Sequence, residues 1–211
     1  MENVTNNNQT MNDGVVENNG VMTPVEETSA PKVERTVVRN IYMISRDSTV
    51  CGINYNETED KPVRFTYTDL QGDEMTIALK ALIEEIKKLN TDELKTVCAF
   101  YLTQSIANFI GNGGYKYWLV TGTNKNGEKV PDEILSLLRE YHQLWKEKED
   151  YIVLRNSSLF VIDEKTKKDP NKYAKCSMER LRHDAYIRDC WTHVNQINVA
   201  NRQRQIAGII G

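Results

Sequence analysis

The chain has 211 residues, an apolar share of 39% and a formal net charge of −3, which leaves room for one ordinary domain with tails and makes two full-sized domains cramped. So small a charge does not mark a dedicated nucleic-acid binder, although a local basic patch is compatible with it. The four cysteines are far apart, with no CxxC pair and no histidine at zinc-ligand spacing, so free thiols in a reducing compartment are expected.

Residues 1–34 carry seven asparagines and no aromatic side chain, and their six acids against the single Lys32 make them the acidic part of the chain. Such a segment cannot bury enough surface to offset the entropy of ordering. It is expected to be a disordered arm, or to fold on a partner. It has neither a basic start nor an apolar run of signal-peptide type, and no stretch of the chain reaches membrane-spanning length, so a protein of the host cytoplasm without a membrane partner is expected.

From Thr36 the chemistry turns to that of strands. Val37, Val38, Ile41, Tyr42, Met43 and Ile44 form a β-rich run that stops at Arg46-Asp47-Ser48, and two further short runs follow around residues 50–55 and 63–68. Three strands joined by short turns predict an antiparallel meander. Met75, Ile77, Leu79, Leu82, Ile83, Ile86 and Leu89 then recur at helical spacing, with Glu84, Glu85, Lys87 and Lys88 on the opposite face. Residues 96–102 read as a buried strand, and residues 104–110 as a short helix closed by Gly111, Gly113 and Gly114.

An aromatic segment, Tyr115, Tyr117 and Trp118, leads through the polar turn at residues 124–129 to a second strong helix with Ile134, Leu135, Leu138, Tyr141 and Trp145 on its apolar face. Residues 150–154 are the last strand candidate. A lysine-rich loop over residues 163–175 precedes a final helix from about Ser177. Antiparallel strands first and strand-helix crossovers afterwards imply an α/β domain with a mixed sheet of five strands and helices on its faces.

This order resembles that of the ribonuclease H family. The likeness is sharpest in QSIANFIGNGGYKYWLVTGTNKNGEKVPDEILSLLREY, with support from DEMTIALKALIEEIKKL and ERLRHDAYIRDC. It covers about 150 residues and implies a ribonuclease H-like domain over residues 35–191, with residues 192–211 as a C-terminal helical extension. It also implies two-metal phosphodiester hydrolysis, in which carboxylates from the first strand, the first long helix, the fourth strand and the last helix hold two divalent cations about 4 Å apart.

At those four places the sequence departs from the family. Ser45 stands near the first-strand aspartate, with Asp47 two residues on in turn-forming context; Thr76 replaces the helix glutamate, with Glu74 off register; and Leu102 or a neighbour stands where the bridging aspartate belongs. Asp184 alone is in register, beside Arg180, Arg182 and Arg188. The expectation is therefore a degenerate family member with no catalytic residues, no metal and no cofactor. Were the chain active, Asp47, Glu74 and Asp184 would be the ligands of Mg²⁺ or Mn²⁺.

What remains is surface. Lys116, Lys125, Lys129, Lys168 and Lys172, with Trp118, lie in segments that face nucleic acid in active relatives, so a DNA or RNA backbone is a candidate partner. Beyond a polar connector at residues 198–205 the chain has an apolar tip with Ile206, Ile209 and Ile210. That tip suits docking into a protein partner or a second copy, or folding back on its own domain. The expected role is a structural or assembly subunit, and the asparagine-rich arm on a small divergent domain points to a phage product such as a virion component. A metal-dependent nuclease and a non-cleaving nucleic-acid-binding module are the alternatives.

Overall fold

The structure, a computed structural model, describes residues 37–57, 61–90, 97–158, 162 and 164–210. The expected disordered arm, residues 1–34, lies outside them.

The first strand, β1 (Val37–Arg46), turns back through Asp47-Ser48 into β2 (Thr49–Asn56), with Arg46 opposite Thr49. Asp47 adopts φ 52°, the left-handed conformation that a tight hairpin demands and that aspartate tolerates better than most residues. The third strand, β3 (Val63–Tyr67), pairs antiparallel with β2. Gly52 of β2 lies opposite Phe65, whose ring covers it so closely that a Cβ there would stand 2.1 Å from the ring.

Helix α1 (Glu74–Lys87) begins at Asp73, whose carboxylate accepts a hydrogen bond from the Thr76 backbone N–H at 2.8 Å. The chain then enters β4 (Val97–Leu102), parallel to β1 and buried throughout, as parallel strands covered on both faces are. Helices α2 (Gln104–Gly111), α3 (Gly114–Thr121) and α4 (Asp132–Lys148) lead to β5 (Ile152–Asn156), parallel to β4. A short α5 (Glu164–Lys167) precedes α6 (Pro170–Ile210).

The sheet order is β3-β2-β1-β4-β5, with the first three strands antiparallel and the last two joined by parallel crossovers. This is the ribonuclease H-like mixed five-stranded sheet. Strand alternation divides the interior in two. Ile41, Met43, Phe100, Leu102 and Ile152 face α1, α2, α3 and α4, where Leu79, Leu82, Ile106, Tyr115 and Leu138 complete the larger core. Tyr42, Ile44, Cys51, Ile53, Ala99 and Tyr101 face α6, with Cys190 and Val194. Lys148 Nζ joins two helix ends on the first face by donating to the carbonyls of Ile86 and Leu89 at 3.0 and 2.6 Å, at the C-terminal end of α1.

Two elements differ from expectation. Tyr115, Tyr117 and Trp118, to which the sequence assigned no element, form helix α3. Gly113, at φ 70°, closes α2 and opens α3, so the glycines that read as a terminator separate two short helices. The final helix runs 41 residues from Pro170, not from about Ser177, and continues through residues 192–210. Proline at a helix start forfeits no hydrogen bond, and the Asp169 carboxylate accepts from the backbone N–H groups of Asn171 and Lys172 at 3.1 and 3.2 Å. The residues read as a lysine-rich loop thus include a capped helix start.

Candidate functional site

The end of β1, the first turns of α1 and the end of β4 meet where the family resemblance places its metal-binding acids. Ser45 is buried, and its hydroxyl has no hydrogen-bond partner among the described residues. The same holds for the Thr103 hydroxyl at the N-terminus of α2, one residue past β4. Both line a void of about 10 Å³ closed by Met43, Val50, Ala78, Leu102 and Ile106. Thr76, at the helix position, is buried too. Two hydroxyls in an apolar setting, with room for about one water, cannot replace the charge that paired divalent cations require. The donors do not fit the metals that the resemblance implies. Among the described residues no three His, Cys, Asp or Glu side chains are grouped to hold a metal ion.

The three acids nominated for an active enzyme are not brought together. Asp47 sits on the hairpin tip and pairs with Arg202 of α6 at 3.1 Å, whereas Asp184 pairs with Arg180 at 3.8 Å. At about 1.5 Å per residue, Arg202 and Asp184 stand roughly 27 Å apart along α6, beyond what one arginine side chain spans. Glu74 opens α1 and borders an open cleft of about 540 Å³, whose other walls are Thr103, Gln104, Ser105, Asn108, Ser157, Ser158, Ile187 and Trp191. Asp184 is not in that lining. The cleft is ringed by hydroxyls, amides and one indole, with a single acid.

On the far face of the sheet lies a cluster that sequence reading missed. Tyr42 and Tyr101 stack at 4.7 Å, and His183 packs beside both rings, with its Nε2 2.9 Å from the Ser157 carbonyl. Arg155 donates to the Tyr101 hydroxyl at 2.9 Å, and Arg182 donates to that of Tyr55. Burial lowers the His183 pKa and raises that of Tyr42. The only clue in the sequence was the single tyrosine on each of β1 and β4, which also reads as ordinary strand packing.

The candidate nucleic-acid contacts scatter. Trp118 is half-buried on α3 against the Phe109 ring at 4.6 Å, which makes it a packing residue rather than a free stacking platform. Lys116 is exposed on α3 and Lys125 on the turn beyond it. Lys129 pairs with Asp132 at 3.4 Å and Lys172 with Asp169 at 3.6 Å, while Lys168 is exposed between α5 and α6. The Asp169 carboxyl is held below its ordinary range, chiefly by the Lys172 backbone N–H. Of the tip, Ile206 is exposed; the side chains of Ile209 and Ile210 lie outside the described residues. Nucleophilic cysteine chemistry is disfavoured where burial pushes the Cys98 and Cys190 thiols up to about 12. No described helix is long and apolar enough to cross a membrane.

No protein-family model matches the chain, and no curated protein does. Among the similar solved structures are three at low identity. The foamy viral protease-reverse transcriptase in complex with an RNA/DNA hybrid is 15% identical at a TM-score of 0.41, over 72% of this chain and 21% of that one. The RNase H domain of PFV, a solution structure, is 12% identical at 0.42, over 57% and 79%. The foamy viral enzyme in complex with dsDNA is 12% identical at 0.40, over 63% and 89%. The present chain thus spans about a fifth of the first of these. The sheet order, rather than these scores, carries the fold.

Proposed function

We propose that this chain is a ribonuclease H-fold protein without nuclease activity, serving as a structural or assembly subunit. The observation that supports this best is the exchange of chemistry where β1, α1 and β4 meet: Ser45, Thr103 and Ala78 enclose a void of about 10 Å³ with apolar neighbours, where phosphodiester hydrolysis would need clustered carboxylates. Asp184 remains, but one carboxylate does not hold two metals. In this reading the chain takes no cofactor, residues 1–34 and the C-terminal end of α6 contact partners, and a phage virion is the setting we favour.

The test is hydrolysis of an RNA/DNA hybrid by the full chain in Mg²⁺ and in Mn²⁺, beside the Asp184→Asn variant. Wild type and variant should be equally inert. Cleavage that Asp184→Asn abolishes would overturn the reading and restore the nuclease. Inert protein that binds the hybrid with steep salt dependence, lost on neutralising Lys116, Lys125 and Lys129, would instead make it a non-cleaving nucleic-acid module.

A further inference from the structure

Helix α6 is about 60 Å long, yet the sheet uses only its middle. His183, Cys190, Val194 and Asn198 are buried on one side, and residues 202–208 are exposed all round. On the opposite side Met178, Ala185, Thr192, Val199 and Ile206 recur every seven residues, all exposed, with Leu181 three residues after the first of them. Met178 and Leu181 are each 65% exposed, Val199 53% and Ile206 57%. Apolar residues on a seven-residue repeat make a seam that a second helix covers. Polar residues fill its middle, Arg188, Thr192 and Asn195.

We propose that this seam binds a second copy of the chain, the two α6 helices running antiparallel about a two-fold axis beside Thr192 and Asn195; this rests on the assembly reading above and names its partner. Antiparallel pairing sets Leu181 against Ile206 of the second copy, so the two apolar ends meet twice. The same register sets Arg188 against Val199 and Arg202 against Ala185, with Asp184 adjoining the incoming Arg202. A parallel pair in register would force Arg188 onto Arg188 and Arg202 onto Arg202, which repel. For a second copy, charge therefore selects the antiparallel over the parallel sense, with Asp184 of each copy beside Arg202 of the other. Neither arginine is lost to the domain interior: Arg188 is exposed, and Arg202 is exposed and pairs with Asp47 at the hairpin tip. The contact is about 45 Å long and about 10 Å wide, on the order of 450 Å² of footprint per copy. That is at the small end for a specific interface, so the dimer is reversible and depends on concentration.

Light scattering on the full chain should show the mean mass rising from one copy toward two with concentration. Leu181→Glu and Ile206→Glu should each return it to one copy, with an unchanged melting temperature because both residues are exposed. Orientation is read by disulfide capture in a Cys176→Ser background. Leu181→Cys mixed with Ile206→Cys should cross-link, whereas either variant alone should not. Monomer at every concentration overturns the proposal, and so does self-cross-linking of Leu181→Cys alone, which would mean parallel helices. An oligomer that survives Leu181→Glu overturns the α6 pairing while leaving the assembly reading in place. Hybrid cleavage by the same dimeric protein would remove the assembly reading while leaving the pairing.

Discussion

Ser45 on β1 and Thr103 at the start of α2 present hydroxyls to one small void, and neither hydroxyl has a hydrogen-bond partner among the described residues. A buried hydroxyl left unpaired weakens the fold by about 1–3 kcal/mol relative to one that is satisfied. Ser45→Ala and Thr103→Val should therefore be neutral or stabilising by up to about 1 kcal/mol in urea denaturation. Ser45→Asp should cost several kcal/mol, since it buries a carboxylate among Met43, Val50 and Leu102 with no cation to meet it. Clear destabilisation by Ser45→Ala would mean that the hydroxyl is engaged, and would sink this account of the site.

His183 sets a pH dependence. It is 2% exposed, and burial depresses its pKa, against the opposing pull of the Ser157 carbonyl and Asp184; Arg155 lowers it further. The unfolded chain binds the proton near the ordinary value of about 6.5, so as pH falls through that value the unfolded state takes up a proton that the folded state refuses. Stability is thus fully present above about pH 7, declines below pH 6.5, and stops declining once the pH passes the folded pKa. Urea midpoints between about pH 7.5 and pH 5 should fall for wild type and fall less for His183→Gln. Parallel slopes for the two proteins would refute the assignment. The half-exposed His142, also lowered by burial, contributes in the same direction to both.

Trp118 distinguishes packing from nucleic-acid contact. Its ring meets Phe109 and the larger core, so Trp118→Ala should cost about 2–3 kcal/mol, somewhat less than a fully buried tryptophan. Any affinity for a DNA or RNA strand should be unchanged once the protein is folded. A variant of wild-type stability that loses strand binding would reverse this assignment.

The sheet was legible in the sequence because strand and helix periods differ and because β4, buried on both faces, is a continuous apolar run. The antiparallel start and the parallel crossovers followed from connection lengths alone. Glu74 and Asp184 could be placed on their helices, but the Thr103 hydroxyl was not singled out, since its neighbour Leu102 carried the missing-acid argument. Its partner across the void, Ser45, is 58 residues away in sequence, and no local pattern joins them. The start of helix α6 was misjudged because away from the sheet a helix has no core to face, so its sequence there shows no burial period and reads as loop. Pro170 deepened the error, because proline breaks a helix interior yet suits a first turn.

Where α6 stops mattering to the fold can be measured by truncation. The sheet holds it as far as Asn198, whose side chain donates to the Arg46 carbonyl at 3.1 Å, and as far as the Arg202 pair with Asp47. Beyond that, residues 203–208 are exposed, so a chain ending at Arg202 should keep its stability within about 0.5 kcal/mol. A chain ending at Trp191 loses Val194, which is fully buried, together with the half-buried Ile197 and the buried Asn198. Each fully buried aliphatic side chain is worth about 1.5–3 kcal/mol, and the Asn198 bond adds about 1. The shorter chain should therefore lose about 3–5 kcal/mol, a large part of what holds a domain of this size folded. Equal stability of the two truncations would place a true domain boundary near residue 191 and make the remainder of α6 an appendage, contrary to the packing of Val194 against Tyr42, Ile44 and Ile53.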